Sequence, residues 1–173
     1  PTNCHIAPDL YDLFESNDLR KGLYFSRVSS TGLLVYKGGY YGTIGYIPWT
    51  GIATDEIYLV RAECLARAGQ IESALQTLND LLVTRWRKDT FIPFEASSQE
   101  EALTIILEER RKELLFRGLR WTDLRRLNLE GAEITISREL DGVKYTLPPN
   151  DPRYVYPIPP YELSYNPMQQ NDR

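Results

Sequence analysis

The chain has 173 residues, 42% of them hydrophobic, and a net charge of −4. That length supports one domain with a sizeable core, and the charge excludes the basic field that holds nucleic acid. No apolar run is long enough to span a bilayer, and Cys4 and Cys64 have neither metal-ligand spacing nor the form of a disulfide framework.

The opening residues show no charged stretch followed by an apolar one, so the expectation is a mature chain or a fragment, without its own signal peptide. His5 is the single histidine, and beside Cys4 it makes at most two ligands, too few for a metal site. Asp9–Glu15 reads as the end of a helix. Gly22–Arg27 and Leu33–Lys37 read as strands. Residues 36–51, YKGGYYGTIGYIPWTG, are rich in glycine and aromatics and read as a loop.

Helical periodicity begins near Thr54. Glu56, Glu63, Arg67 and Gln70 fall on one polar stripe, and Ile57, Val60, Cys64, Leu65 and Ala68 lie off it, where they can be buried. Gly69 stops this helix. Ile71, Ala74, Leu75, Leu78, Leu81 and Leu82 form the apolar face of the next, giving an αα-hairpin. The spacing of Leu59, Ala62, Leu65, Gly69, Ala74, Leu78 and Leu81 resembles a tetratricopeptide repeat. One repeat cannot bury its own faces, so its neighbours are either outside this chain or replaced by other elements.

Ser98-Gln-Glu-Glu101 has capping-box form and opens a third helix. This runs to about Phe116, breaks at Gly118 and resumes from Trp121 to Leu127. Glu133–Ser137 and Val143–Leu147 alternate like paired strands around a Leu140-Asp-Gly142 turn. After Pro148-Pro149 the chain reads as extended, with Tyr154, Tyr156, Tyr161 and Tyr165 pressed onto the helices.

Arg110 falls within the apolar stripe made by Leu103, Ile106, Leu107 and Leu114. A buried guanidinium must be paired and hydrogen-bonded. Glu63, Glu109, Glu113 and Asp123 supply carboxylates, and with Arg110, Arg120 and Arg126 they form a candidate structural ion-pair network. Two other roles stay open: an arginine cluster that binds an anionic substrate, and paired carboxylates for glycoside hydrolysis. The last is disfavoured by the arginines alternating with these acids.

These residues carry a resemblance. Glu109-Arg110, Glu113-Leu114, Gly118, Arg120, Asp123-Leu124 and Arg126 resemble the signature helix of SusD/RagB proteins. Ala53–Glu63 resembles the family's preceding helix, and Tyr156–Leu163 with Asn166–Asn171 resembles its C-terminus. Arg117 departs from the pattern, standing where many members carry glutamate. Members are usually far longer, beginning with a lipoprotein signal and several tetratricopeptide-like helix pairs. Residues 1–173 therefore look like the C-terminal part of one SusD-like domain.

The resemblance implies a mainly α fold: a tetratricopeptide-type helical hairpin, then C-terminal helices with short β-hairpins and long loops. It implies a non-catalytic binder of oligo- or polysaccharide at the bacterial outer membrane, on the cell-surface side. Such a protein delivers glycan to a SusC-like TonB-dependent transporter, and touches the membrane only through a lipid anchor on the N-terminus missing here. No cofactor is implied beyond calcium, which some relatives hold. The alternative is a tetratricopeptide-type protein-interaction module with no glycan site of its own. Flat rings suit the C–H-rich face of a pyranose, which makes Tyr36, Tyr40, Tyr41, Tyr46 and Trp49 the candidate glycan contacts; the other role for these rings is packing the loop against the helices.

Overall fold

The computed structural model of the protein describes residues 5–38 and 51–173. The chain divides into two compact units, Pro1–Gly118 and Leu119–Arg173.

Small residues set the packing of the first unit. Helix α3 (Thr54–Arg67) packs against α4 (Ile71–Leu82) and α5 (Gln99–Glu113), and α4 also meets α5. For this numbering, α1 is Pro8–Asp12 and α2 is Leu19–Tyr24. Ala62, Ala66, Ala74 and Ala102 are fully buried among Leu59, Leu78 and Ile106. Alanine at a crossing lets two helix backbones approach closely. Gly69 takes φ +75, and the N–H groups of Gly69 and Gln70 return to the carbonyls of Ala66 and Leu65, each at 2.9 Å. This Schellman closure ends α3 and reverses the chain into α4.

The buried face of α3 differs from the expected one. Ile57 is 54% exposed, Val60 43%, and Cys64 is also exposed, while Glu63 is buried at 6%. The face that enters the core is Leu59, Ala62, Glu63 and Ala66. Glu63 is tolerated there because Arg67, one turn on, donates to its carboxylate at 2.9 Å.

The strand expected from Gly22 is also shorter than the sequence implies. Asp18 caps α2, its carboxylate accepting from the Arg20 N–H at 2.9 Å, so residues 19–24 are helical. Only Phe25–Arg27 forms β1, which pairs antiparallel with β2 (Leu34–Tyr36), Phe25 opposite Tyr36. Phe25 joins Ile6, Leu10 and Phe14 in a small aromatic core, its ring edge-on to Tyr11 and Phe14.

Ser98 caps α5, its hydroxyl accepting from the Glu101 N–H at 3.1 Å. Glu101 does not complete a reciprocal box with Ser98; its carboxylate takes the N–H and hydroxyl of Ser97 instead. Beyond α5 the chain turns through Phe116 at φ +58 and Gly118 at φ +77.

In the second unit, α6 is Arg120–Leu129, and β3 (Ile136–Leu140) pairs with β4 (Val143–Leu147). Asp141 and Gly142 both have positive φ, as a two-residue hairpin turn of type I′ requires. The first strand starts at Ile136 rather than Glu133, because the Asn128 carboxamide holds both the N–H and C=O of Ile134 off the ladder. The tail is not extended throughout. A 3-10 turn forms at Pro152–Tyr154 and helix α7 at Pro160–Tyr165, each with proline in its first turn, where no N–H is needed. Tyr154 is buried against the Trp121 ring of α6, and Tyr156, though exposed, also meets that ring. Tyr161 and Tyr165 are exposed and meet each other, contrary to the packing onto the helices expected of them.

Candidate functional site

The start of α2, the end of α5 and Arg85, just beyond α4, bring six charged side chains together. Arg20, 1% exposed, lies at the centre. Its Nη2 donates to Asp18 at 2.7 Å and to Glu109 at 2.8 Å, and its Nη1 donates to Glu113 at 2.9 Å. Lys112 donates to Glu109, and Arg85 donates from Nε to Glu113 at 2.8 Å. Three carboxylates thus meet three cations. The guanidinium of Arg20 and the ammonium of Lys112 also lie over the Phe14 ring, at 5.6 and 5.4 Å from its centre.

Burial of this kind costs several kcal/mol per ion and is repaid only by close pairing with the remaining donors and acceptors satisfied. Here both oxygens of Glu109 and both of Glu113 accept from cations. Neither carboxylate is left open to a substrate. Burial alone would lower the pKa of Arg20. The hydrogen bond with Asp18 and the charges of Glu109 and Glu113 outweigh it and hold the group well above its ordinary value. Burial, then the charge of Glu113, likewise pushes the Tyr24 hydroxyl up.

The other charged residues of the signature segment fall elsewhere. Arg110 is buried at 8% on α5. Arg117 meets Asp55 at 3.4 Å and Glu56 at 3.7 Å, and donates to the carbonyl of Gly51 at 2.8 Å. In the second unit, Arg126 donates to Asp123 at 2.8 Å, one turn back on α6, and Arg120 is exposed at the start of that helix. The sequence reading named Glu109 and Glu113 but missed Asp18, Arg20, Lys112 and Arg85. A cap aspartate followed by arginine, in Asp18-Leu-Arg20, was the available signal. Nothing local links it to a helix some ninety positions later.

Of the five candidate rings, Tyr36 alone lies within the described residues; Tyr40, Tyr41, Tyr46 and Trp49 lie outside them. Tyr36 is half-buried and stacks on Phe116 at 4.3 Å between ring centres, so one of its faces is taken. Burial raises its pKa and the charge of Arg117 opposes the rise. The C-terminal motif has a clear local role. The Gln170 carboxamide accepts from the Ile158 N–H at 2.7 Å and donates to the Ile158 C=O at 2.9 Å, while Asn171 donates to the Tyr156 carbonyl at 2.7 Å. Glutamine and asparagine thus close the loop around α7 by imitating a strand pairing. Tyr156, 71% exposed, stacks on Trp121 at 5.7 Å.

Among the described residues, no group of three or more His, Cys, Asp or Glu is arranged to hold a metal, and no helix is long and apolar enough to cross a membrane.

The model of the SusD family matches residues 12–172. A SusD-like carbohydrate binding protein from Bacteroides vulgatus ATCC 8482 is 24% identical with a TM-score of 0.61, over 94% of this chain and 40% of that one. A second protein of that strain, described as sugar binding, reaches a TM-score of 0.69 at 23% identity, over 96% of this chain and 38% of its own. A SusD superfamily protein from Bacteroides fragilis NCTC 9343 reaches 0.58 at 18% identity, over 96% of this chain and 40% of its own. At these identities the likeness is one of fold. The chain spans about 40% of the length of these structures. No curated protein matches it.

Proposed function

The chain belongs to the SusD family, and on that premise we propose that it is part of a non-catalytic nutrient-binding protein. In this reading the protein holds oligo- or polysaccharide at the outer-membrane cell surface and delivers it to a SusC-like TonB-dependent transporter. Its attachment is a lipid anchor on the longer parent chain. The observation that carries the reading is a family match running almost end to end, from residue 12 to 172. Two of the similar folds belong to proteins described as carbohydrate or sugar binding, which supports the same ligand class.

The proposed glycan contact is the aromatic segment that begins with the last residue of β2, with Tyr36, Tyr40, Tyr41, Tyr46 and Trp49 as its rings. A pyranose presents C–H groups on one face and hydroxyls at its rim. Phenol and indole rings remove that apolar face from water and keep a polar tip in it. The carboxylates Glu109 and Glu113 belong to the cluster around Arg20 and have no part in this contact.

Affinity electrophoresis through gels carrying neutral and acidic polysaccharides tests the reading. Retardation in at least one gel is expected. Unchanged mobility in all of them counts against glycan binding by this chain.

One observation favours the second reading, a tetratricopeptide-type interaction surface. Ile57, Val60 and Cys64 form an exposed apolar stripe on α3. Polar substitution of Ile57 and Val60 that abolished binding to the transporter, with glycan retardation intact, would favour that role for the hairpin.

A further inference from the structure

An open cleft of about 390 Å³ lies in the first unit between α1, α2 and β1, with Arg87 also in its lining. That volume lies in the range of small-ligand pockets. The whole chain has net charge −4, yet this lining is cationic. It contains Lys21, Arg27 and Arg87, with Asp18 as its carboxylate. Asp18 is fully buried and committed to Arg20, with Lys112 also within 3.8 Å. It therefore neutralises nothing on the cleft surface.

The three cations are paired with no carboxylate among the described residues. Lys21 donates to the Phe14 carbonyl at 2.6 Å, and Arg27 to the Gly32 carbonyl at 3.0 Å, both neutral acceptors. The exposed guanidinium of Arg87 has no hydrogen bond or ion pair among the described residues. The ammonium of Lys21 lies 4.4 Å from the centre of the Tyr11 ring, and the guanidinium of Arg27 lies 5.9 Å from it. One ring thus gathers two charges that would otherwise repel and separate. Charge concentrated in a concave site attracts the opposite charge more strongly than the same residues spread over a flat face. A guanidinium with free donors matches the geometry of carboxylate or sulfate oxygens.

We propose that this cleft holds the acidic group of an anionic saccharide, a uronate carboxylate or a sulfate ester, and so selects charged glycans. This rests on the carbohydrate-binding reading above. A saccharide is favoured over an acidic peptide by the carbohydrate-binding reading on which the proposal rests, and Phe25 and Leu34 add apolar lining beside the cations.

The test is titration of the chain with oligogalacturonate, its methyl ester, chondroitin sulfate fragments and a neutral glucan oligosaccharide, at low and high salt. The proposal expects tighter binding of an acidic probe than of the neutral ones, weakened by salt. Arg27→Ala/Arg87→Ala should weaken the acidic probe by about tenfold or more and the neutral ones by less than about twofold. Both side chains are exposed, so the variant's thermal unfolding should match the parent chain. Preference for oligogalacturonate over chondroitin sulfate identifies carboxylate as the group, and preference for chondroitin sulfate that is lost on its desulfation identifies sulfate, since both polymers carry uronate. Binding of the methyl ester or glucan as tight as that of the acidic probes overturns the charge selection while leaving glycan binding standing. Acidic binding unchanged in the double variant overturns the assignment to this cleft. Binding of no probe overturns the carbohydrate reading and this proposal together.

Discussion

Arg20 donates from Nη2 to Glu109 at 2.8 Å, joining residues 89 apart in sequence. The bond fixes the short helix α2 to the last turn of α5, with Glu113 as a second attachment point at 2.9 Å. The signature glutamates therefore act inside the first unit as structural anchors.

Arg20→Met should be among the most damaging single changes. It leaves Asp18, Glu109 and Glu113 buried with their shared cation gone, a loss of about 3–5 kcal/mol for a broken buried pair. Thermal unfolding should show a Tm lower by roughly 10 °C or more. Glu109→Gln keeps an acceptor for Arg20 and should cost less. A Tm for Arg20→Met within a degree or two of the parent chain would refute the cluster's structural role.

The corrected face of α3 makes two opposed predictions. Ala62→Leu forces extra volume into a fully buried crossing and should destabilise by about 1–3 kcal/mol. Ile57→Ser removes an isoleucine that is 54% exposed and should change stability by no more than about 0.5 kcal/mol. Urea unfolding of both variants checks this, and the reverse ranking would restore the face expected from hydrophobicity.

Asp151 should titrate near pH 2. Arg153 donates to its carboxylate from Nε and Nη2, both at 2.8 Å, and the Arg153 N–H adds a third bond at 2.9 Å; together these lower its pKa from 3.8 to about 2. A carboxyl with a lowered folded pKa stabilises the fold above its unfolded pKa, and that contribution is lost as pH falls through the folded value. The 3-10 turn at Pro152–Tyr154 should stay intact at pH 4 and loosen toward pH 2. The pH dependence of the Arg153 amide shift in NMR reports it; a midpoint near 4 would show that these bonds do not form in solution.

Gln170→Ala removes both bonds to the Ile158 backbone. These groups are exposed, so global stability should change little. Amide hydrogen exchange at Ile158 should accelerate locally, with exchange in α5 unaffected. Gln170→Glu keeps the acceptor and loses the donor, and should give an intermediate rate. Equal protection in all three chains would mean that the carboxamide does not hold the loop.

Helices α3, α4 and α5 were readable because their ends carry strong local signals, such as Gly69 with positive φ and the Ser98 cap, whereas α2 and α7 were not. The hairpin turn at Asp141-Gly142 was readable for the same reason. The inner face of α3 was readable only in part. The repeat-like spacing marked Ala62 and Ala74 as small positions between α3 and α4, and both are fully buried, but hydrophobic periodicity gave Ala66 no weight and set Ile57 and Val60 on a face that is exposed. The partners of Glu109 and Glu113 were hidden for a different reason: Asp18 and Arg20 are distant in sequence, and only tertiary packing brings them in. Of the candidate glycan rings, glycine and aromatic composition could mark the segment, but not that Tyr36 would stack on Phe116.

The division of labour between the aromatic segment and the charged helix is the central claim, and one comparison tests it most directly. The affinity of this chain for a retarding glycan is measured by calorimetry beside those of Tyr41→Ala/Trp49→Ala and Glu109→Gln. The account predicts a loss on the order of tenfold or more for the aromatic pair, as for aromatic anchors of binding interfaces in general, and a lowered Tm with unchanged affinity for Glu109→Gln. Wild-type affinity in the aromatic variant, together with lost affinity in a folded Glu109→Gln chain, would contradict it and move the glycan to the charged helix.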